Sequence, residues 1–270
     1  FVYNGVVSWS CTASILKKIM GFAPERSLPK IGVCRFDKEV KRCERKDFKK
    51  TIYLFVDEFS RFQDYEITKT AIRLFSALGY KVKRAPIKES GRIAFSKGML
   101  KRAKRLAEKN IELLLPLIND STPLVGLEPS AVLSFRDEYP DLLKRDLSGL
   151  NANVFLFDEF LAREIDCGNI DKELFTDEKR NILLHGHCQQ KALIGTEFME
   201  KMLTLPRNYS VEVIPSGCCG VAGSYGYEQK HYEMSKKIAH SVLIPAIENA
   251  DKDTIISAPG TSCREQISHF

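Results

Sequence analysis

Four cysteines have the types and placement to do chemistry: Cys188, Cys218, Cys219 and Cys263. Each follows a short apolar run with strand character, at 182–184, 211–214 and 254–257. In a parallel α/β sheet the loops beyond the carboxyl ends of the strands converge on one edge, where ligands bind. Three loops could therefore gather four thiolates. Four thiolates suit one [4Fe–4S] cluster. They also suit a tetrahedral structural zinc, or a dithiol/disulfide centre. The thiols are separated by 29, zero and 43 residues, unlike the tight Cys-x2-Cys knuckles of structural zinc. An adjacent Cys-Cys pair is awkward for such a knuckle. The spacing favours iron–sulfur and leaves the other two open.

Several neighbours of these thiols could support a bound group. The run GCCGVAGSYGYE at 217–228 is glycine-rich. Gly220, Gly223 and Gly226 would let the backbone approach a bulky ligand. A helix start after that run would favour an anion. A dinucleotide pyrophosphate loop needs G-x-G-x-x-G, and the spacing here does not match. His185 and His187 flank Cys188; they read either as core hydrogen-bonding residues or as groups that orient a metal ligand or handle protons. Arg264, directly after Cys263, could offset cluster charge. Cys11, Cys34, Cys43 and Cys167 read as small apolar residues. No hydrolase elbow or P-loop is present.

The chain of 270 residues is long enough for one large domain or two small ones, and its 44% hydrophobic and 28% charged content is that of an ordinary globular protein. No apolar run approaches the ~18–20 residues of a membrane span. Without a signal peptide, eight cysteines point to metal or redox work rather than a disulfide framework, and to a cytoplasmic protein. The chain begins at Phe1, not Met, so it is expected to be a piece of something longer. Residues 1–50 hold 12 Lys/Arg against 5 Asp/Glu. That basic strap, with a short helix at about 12–21, is expected to dock on neighbouring domains or on an anionic membrane face. Nucleic acid is not expected, because no stacking aromatics are interleaved with the charges.

The elements that must position the thiols recur. Strand, helix, strand, helix, strand is predicted over 51–145, with strands at 52–56, 82–86 and 123–127 and helices at 67–78, 99–117 and 132–143. After a connector at 146–180 the same order returns over 181–270, with helices at 191–203 and 228–250. Sliding the first block by 129–130 positions lays TIYLFVDE on NILLHGHC, VKRAPIKESG on VEVIPSGCCG, and EPSAVL on APGTSC. Pro86, Gly91 and Pro129 then meet Pro215, Gly220 and Pro259. The expected fold is α/β: two pseudo-symmetric Rossmann-like units with parallel sheets. Cys188, Cys218, Cys219 and Cys263 fall opposite Glu58, Glu89, Ser90 and Leu133, so the first copy lacks the thiols and should bind no metal. Asp57, Glu58 and Glu89 read as solvated carboxylates.

HGHCQQKAL at 185–193, SGCCGVAGSYGYE at 216–228 and APGTSC at 258–263 resemble the cysteine-rich CCG domain. That domain occurs in heterodisulfide reductase and in the iron–sulfur subunits of glycolate oxidase and anaerobic glycerol-3-phosphate dehydrogenase. PERSLPKI at 24–31, SGRIAFSKGML at 90–100 and GLEPSAVLSFRDEYPDLL at 126–143 extend a resemblance to the C-terminal part of fused FAD-linked oxidases with iron–sulfur domains. The resemblance implies a D-2-hydroxyacid dehydrogenase, of the D-lactate or D-2-hydroxyglutarate kind. FAD in an upstream part would oxidise the acid, and iron–sulfur centres would pass the electrons to a quinone or other acceptor. Neither the FAD domain nor a ferredoxin-like Cys-x2-Cys-x2-Cys run is in this sequence, so these residues alone should not oxidise substrate. The family's last motif is often Cys-x2-Cys; here Gly260 takes its first position, leaving one conventional cluster as the expectation. The alternative is a structural or interaction domain with a zinc or empty thiol site.

Overall fold

The computed structural model describes residues 2–45 and 47–270. The chain divides into two units, one of Gly32–Asp171 and one built from residues up to Ile31 together with Lys172–Phe270.

In the first unit the strands are β1 (Lys50–Phe55), β2 (Tyr80–Arg84), β3 (Leu124–Gly126) and β4 (Val154–Leu156). All pairings are parallel, in the order β2-β1-β3-β4. Ile52, Leu54 and Phe55 are completely buried, as expected of a central strand covered on both faces. Helix Tyr65–Ala77 buries Thr68, Ala71, Ile72, Phe75 and Ser76, the stripe that a 3.6-residue period requires. It ends before Gly79, whose φ of +92° a side chain would strain.

In the second unit β5 (Arg180–Leu184), β6 (Tyr209–Val213) and β7 (Ile255–Ser257) are again parallel, in the order β6-β5-β7. Lys50 pairs with Tyr80 in the first sheet, and Arg180 with Tyr209 in the second. These partners are 130 and 129 positions apart, matching the offset read from the sequence. Two parallel sheets in an α/β chain are therefore as expected.

The boundaries differ from the sequence reading in three ways. Residues 146–180 are not a bare connector. They contain β4, whose three residues are buried, and helix Phe157–Asp166; the apolar run Val154–Leu156 was too short to stand out by periodicity. Nor do residues 1–50 form one strap: they hold helices Val2–Ser8, Ser10–Met20 and Phe36–Arg42, and the division between units falls after Ile31. The stretch up to Ile31 is tied to the second unit by Arg26, which is 1% exposed. Its Nε donates to Gly226 O at 2.9 Å and its Nη2 to Ser235 Oγ at 3.0 Å. The guanidinium also lies 5.4–5.8 Å from the ring centres of Tyr227, Tyr232 and Phe270, within cation–π range. One charge of the basic segment is thus structural.

Third, the helices expected at 67–78 and 99–117 stand as Tyr65–Ala77 and Leu100–Leu114, but three other predicted helices are interrupted. The 228–250 stretch is split into Tyr232–Ser241 and Leu243–Glu248. Pro245 has no N–H for Ser241 O and its ring would clash with that carbonyl. The 191–203 stretch becomes Cys188–Leu193 and Glu197–Leu203, parted at Gly195 with φ +77°. Pro140 likewise allows helix Glu138–Leu143 only by sitting in its first turn.

Candidate metal centre

Each thiol stands where a strand hands over to its loop. Cys188 opens helix Cys188–Leu193 just beyond β5. Cys218 and Cys219 lie in the loop after β6, and Cys263 in helix Thr261–His269 after β7. Because β5, β6 and β7 are parallel neighbours, their carboxyl ends share an edge, and the four thiols meet there. Cys188 is exposed and Cys218 half-buried, while Cys219 and Cys263 are 3% and 1% exposed. All are free thiols.

The contacts form a chain. Cys188 hydrogen-bonds to Cys218, Cys218 to Cys219, and Cys219 to Cys263, with His185 beside Cys263. The hydrogen bonds from Cys188 and Cys219, aided by the Gly220 N–H at 3.3 Å, pull the Cys218 thiol well below its ordinary range. Cys263 is pulled down by Cys219, against burial and with help from His185 and His187. Cys188 and Cys219, on the donating side, are pushed up by their thiol neighbours and by burial. Among the described residues no group of three or more His, Cys, Asp or Glu side chains is arranged to hold a metal ion.

The chemistry of this donor set nonetheless fits a thiolate-ligated group. Cys218 and Cys263 are both pulled toward the thiolate by their neighbours, and thiolates are the form that ligates. His185 is completely buried, its Nδ1 held by Ser216 Oγ at 2.7 Å, and its Nε2 has no aligned hydrogen-bond partner. Gly260 lets the His187 ring pack closely beside Cys263: a Cβ there would fall 2.4 Å from His187 Cδ2 and 3.4 Å from the Cys263 sulfur.

The loops are held by residues that spacing did not single out. Lys191 donates to Ser216 O and, at 2.9 Å, to Gly217 O, anchoring the approach to Cys218. Gln266 is completely buried and donates to Cys219 O at 2.9 Å and to Ser235 O at 3.2 Å. Lys191 lies three residues after Cys188 and Gln266 three after Cys263, one helical turn in each case, and that turn was the available signal.

The glycines and Arg264 have duties more local than the sequence suggested. Gly220 has φ +95°, and a Cβ there would fall 2.6 Å from Ser235 O; a Cβ on Gly226 would fall 2.5 Å from Ser235 Oγ. Both admit close packing on helix Tyr232–Ser241. Gly223, at φ +67°, has open space where a Cβ would be. Arg264 Nη1 donates to Ala258 O at 2.8 Å and Pro259 O at 2.6 Å, bracing the turn before Cys263.

In the first unit Glu58 begins the helix after β1 and accepts from Ser90. Asp57 is not a solvated carboxylate. It is completely buried and caps helix Glu58–Phe62 by accepting from the N–H groups of Phe59 and Ser60. Burial, then the nearby Glu128, pushes its carboxyl up to about 7 against the Ser60 hydrogen bond. Among the other cysteines Cys34 is buried as expected, whereas Cys11 and Cys167 are exposed.

Fold and site together define an α/β protein with two parallel sheets, only one of which carries a four-cysteine edge. Its homologues are dehydrogenases. The chain is 28% identical over 219 residues to D-2-hydroxyglutarate dehydrogenase of Escherichia coli, covering 81% of this chain and 21% of that protein. It is 30% identical over 212 residues to the enzyme of the same name from Pantoea ananatis, covering 78% of this chain and 20% of the relative. One subunit of the Escherichia coli anaerobic glycerol-3-phosphate dehydrogenase is 24% identical over 271 residues, which is 98% of this chain and 67% of that relative. The chain thus spans about a fifth of the length of the D-2-hydroxyglutarate dehydrogenases it matches. No family model matches the chain, and no solved structure does. Among the described residues no helix is long and apolar enough to cross a membrane.

Proposed function

We propose that this chain is the electron-transfer region of an FAD-linked D-2-hydroxyacid dehydrogenase. Cys188, Cys218, Cys219 and Cys263 would hold a [4Fe–4S] cluster. Convergence of four thiols at the carboxyl edge of one parallel sheet carries this reading, and the dehydrogenase relatives support it. The cluster, when bound, supplies one-electron transfer between flavin and acceptor. The chain's own residues hold and insulate it: Lys191 and Gln266 fix two of the loops, and burial of Cys219 and Cys263 keeps water from one side. The flavin and ferredoxin-like domains are proposed partners carried on the same long polypeptide, with a quinone or similar molecule as acceptor.

Anaerobic reconstitution tests the reading. Iron analysis should give about four irons per chain and a broad absorbance that bleaches on reduction. Single Cys→Ser changes at positions 188, 218, 219 and 263 should lower the iron, while the same change at Cys11, Cys34 or Cys43 should not. Zinc bound by the same four thiols, with no iron retained, would replace electron transfer by a structural role.

A further inference from the structure

Residues 21–26 are laid along the loop that leaves Cys218 and Cys219. Ala23 N–H donates to Tyr227 O at 2.8 Å and Gln229 N–H to Gly21 O at 2.9 Å, and between them Phe22 and Glu228 form a short antiparallel bridge. The Phe22 and Tyr227 rings lie 6.0 Å apart, centre to centre. The buried Arg26 then begins a relay. Its Nη2 donates to Ser235 Oγ at 3.0 Å, Gln266 Nε2 donates to the same Oγ at 3.2 Å, and that amide also donates to Cys219 O at 2.9 Å. Ser235 and Gln266 are completely buried. Two side chains therefore link the guanidinium to the backbone of a thiol-bearing residue. A buried charge is costly unless something offsets it. The acceptors of Arg26, Gly226 O and Ser235 Oγ, are both uncharged. Burial holds the guanidinium below its ordinary value, while Tyr227, Tyr232, Cys219 and Glu265 draw it back.

We propose that Arg26 is a positioning residue of the thiol site: through Ser235 and Gln266 it holds the backbone of Cys219, which makes the segment 21–26 part of that site. This deepens the electron-transfer reading and rests on it for the redox consequence alone. The hold on Cys219 is present with or without iron. A group ligated by thiolates is anionic, and Arg26 is a buried cation tied to the loop that would carry it. Positive charge near an iron–sulfur cluster stabilises the more negative, reduced state and raises the midpoint potential. Position and charge are thus joined in one side chain, and substitution can part them.

Arg26→Lys keeps the charge and one donor group, whereas Arg26→Gln is neutral. In the metal-free 270-residue chain, alkylation mapped by mass spectrometry should mark Cys219 several-fold faster in Arg26→Gln than in the wild type. Cys263, equally buried in the same unit, should stay slow, and so should Cys34 in the other unit. Equal acceleration of Cys219 and Cys263 would make Arg26 a general prop of the second unit and overturn the positioning role. No acceleration of Cys219 would overturn it as well. After anaerobic reconstitution, EPR-monitored titration should give Arg26→Gln a more negative midpoint potential than the wild type, with Arg26→Lys nearer the wild-type value. An unchanged potential in Arg26→Gln would overturn the redox consequence. If the wild type binds no iron while Cys219 alone is unmasked in Arg26→Gln, the electron-transfer reading fails and the positioning role stands.

Discussion

Glu58 and Ser90 close on each other through two hydrogen bonds, from Ser90 N–H to Oε2 and from Ser90 Oγ to Oε1, each 2.8 Å. These residues occupy the positions that the repeat offset assigns to Cys188 and Cys219. In the second unit the edge of the sheet is lined by thiols, whereas in the first it is tied shut by a carboxylate and a hydroxyl. Hard oxygen ligands of this kind are poorly matched to iron–sulfur clusters. Glu58→Ala should therefore leave iron content unchanged. It should also destabilise the first unit by about 1–3 kcal/mol, because the completely buried Ser90 loses its acceptor. Iron loss in Glu58→Ala, alongside an unaltered second unit, would show that the ligands are misassigned.

Asp57 makes the first unit sensitive to pH. Its carboxyl is raised to about 7 in the folded protein, from an ordinary 3.8. A raised acid binds its proton more tightly when folded, so its contribution is fully present below about 4. That contribution is lost as pH climbs through about 7. Inside this window the slope tends to about 1.4 kcal/mol per pH unit. Hydrogen exchange of the β1 amides should show protection falling from pH 5 to pH 8, after correction for intrinsic exchange. Asp57→Asn keeps a capping oxygen and should flatten the dependence; an equal slope in both proteins would assign it elsewhere.

Arg26 should matter more than its place in a charged segment suggests. Arg26→Ala leaves Gly226 O without its buried donor, leaves Ser235 Oγ with Gln266 as donor, and empties the space beside three rings. A loss of about 2–4 kcal/mol is expected. Limited proteolysis should then cut readily before residue 31. Because the guanidinium is buried, this tie should hold equally at low and high salt, unlike surface attraction. If salt alone releases the segment, the guanidinium is not what holds it.

Thiol access should follow burial. Brief alkylation of the native metal-free chain, mapped by mass spectrometry, should mark the exposed Cys11 and Cys167 first. Cys34, Cys219 and Cys263 should be protected, with Cys218 and Cys43 between. Early labelling of Cys263 would mean that the loop after β7 opens in solution.

Much of this was legible in the residues. Short apolar runs ahead of Cys188, Cys218 and Cys263 marked three strands. The match of Pro86 and Gly91 with Pro215 and Gly220 marked a repeated strand order, because a glycine or proline is demanded by local backbone geometry. What periodicity missed, it missed for local reasons too: Pro245 and Gly195 broke helices that an apolar stripe alone would carry onward, and β4 was too short to show a period. Other features arise only when distant segments meet. Asp57 looked like a surface carboxylate until helix Glu58–Phe62 and Glu128 enclosed it. Arg26 looked like one more charge until Gly226 and Ser235, some 200 residues later, received it. Cysteine identity and spacing marked the second unit as the one with a thiol-lined edge. The order of burial among those thiols, and the close packing of the His187 imidazole on Gly260, were decided by the parallel sheet, because only the pairing of β5 with β6 and β7 brings three separate loops to one edge.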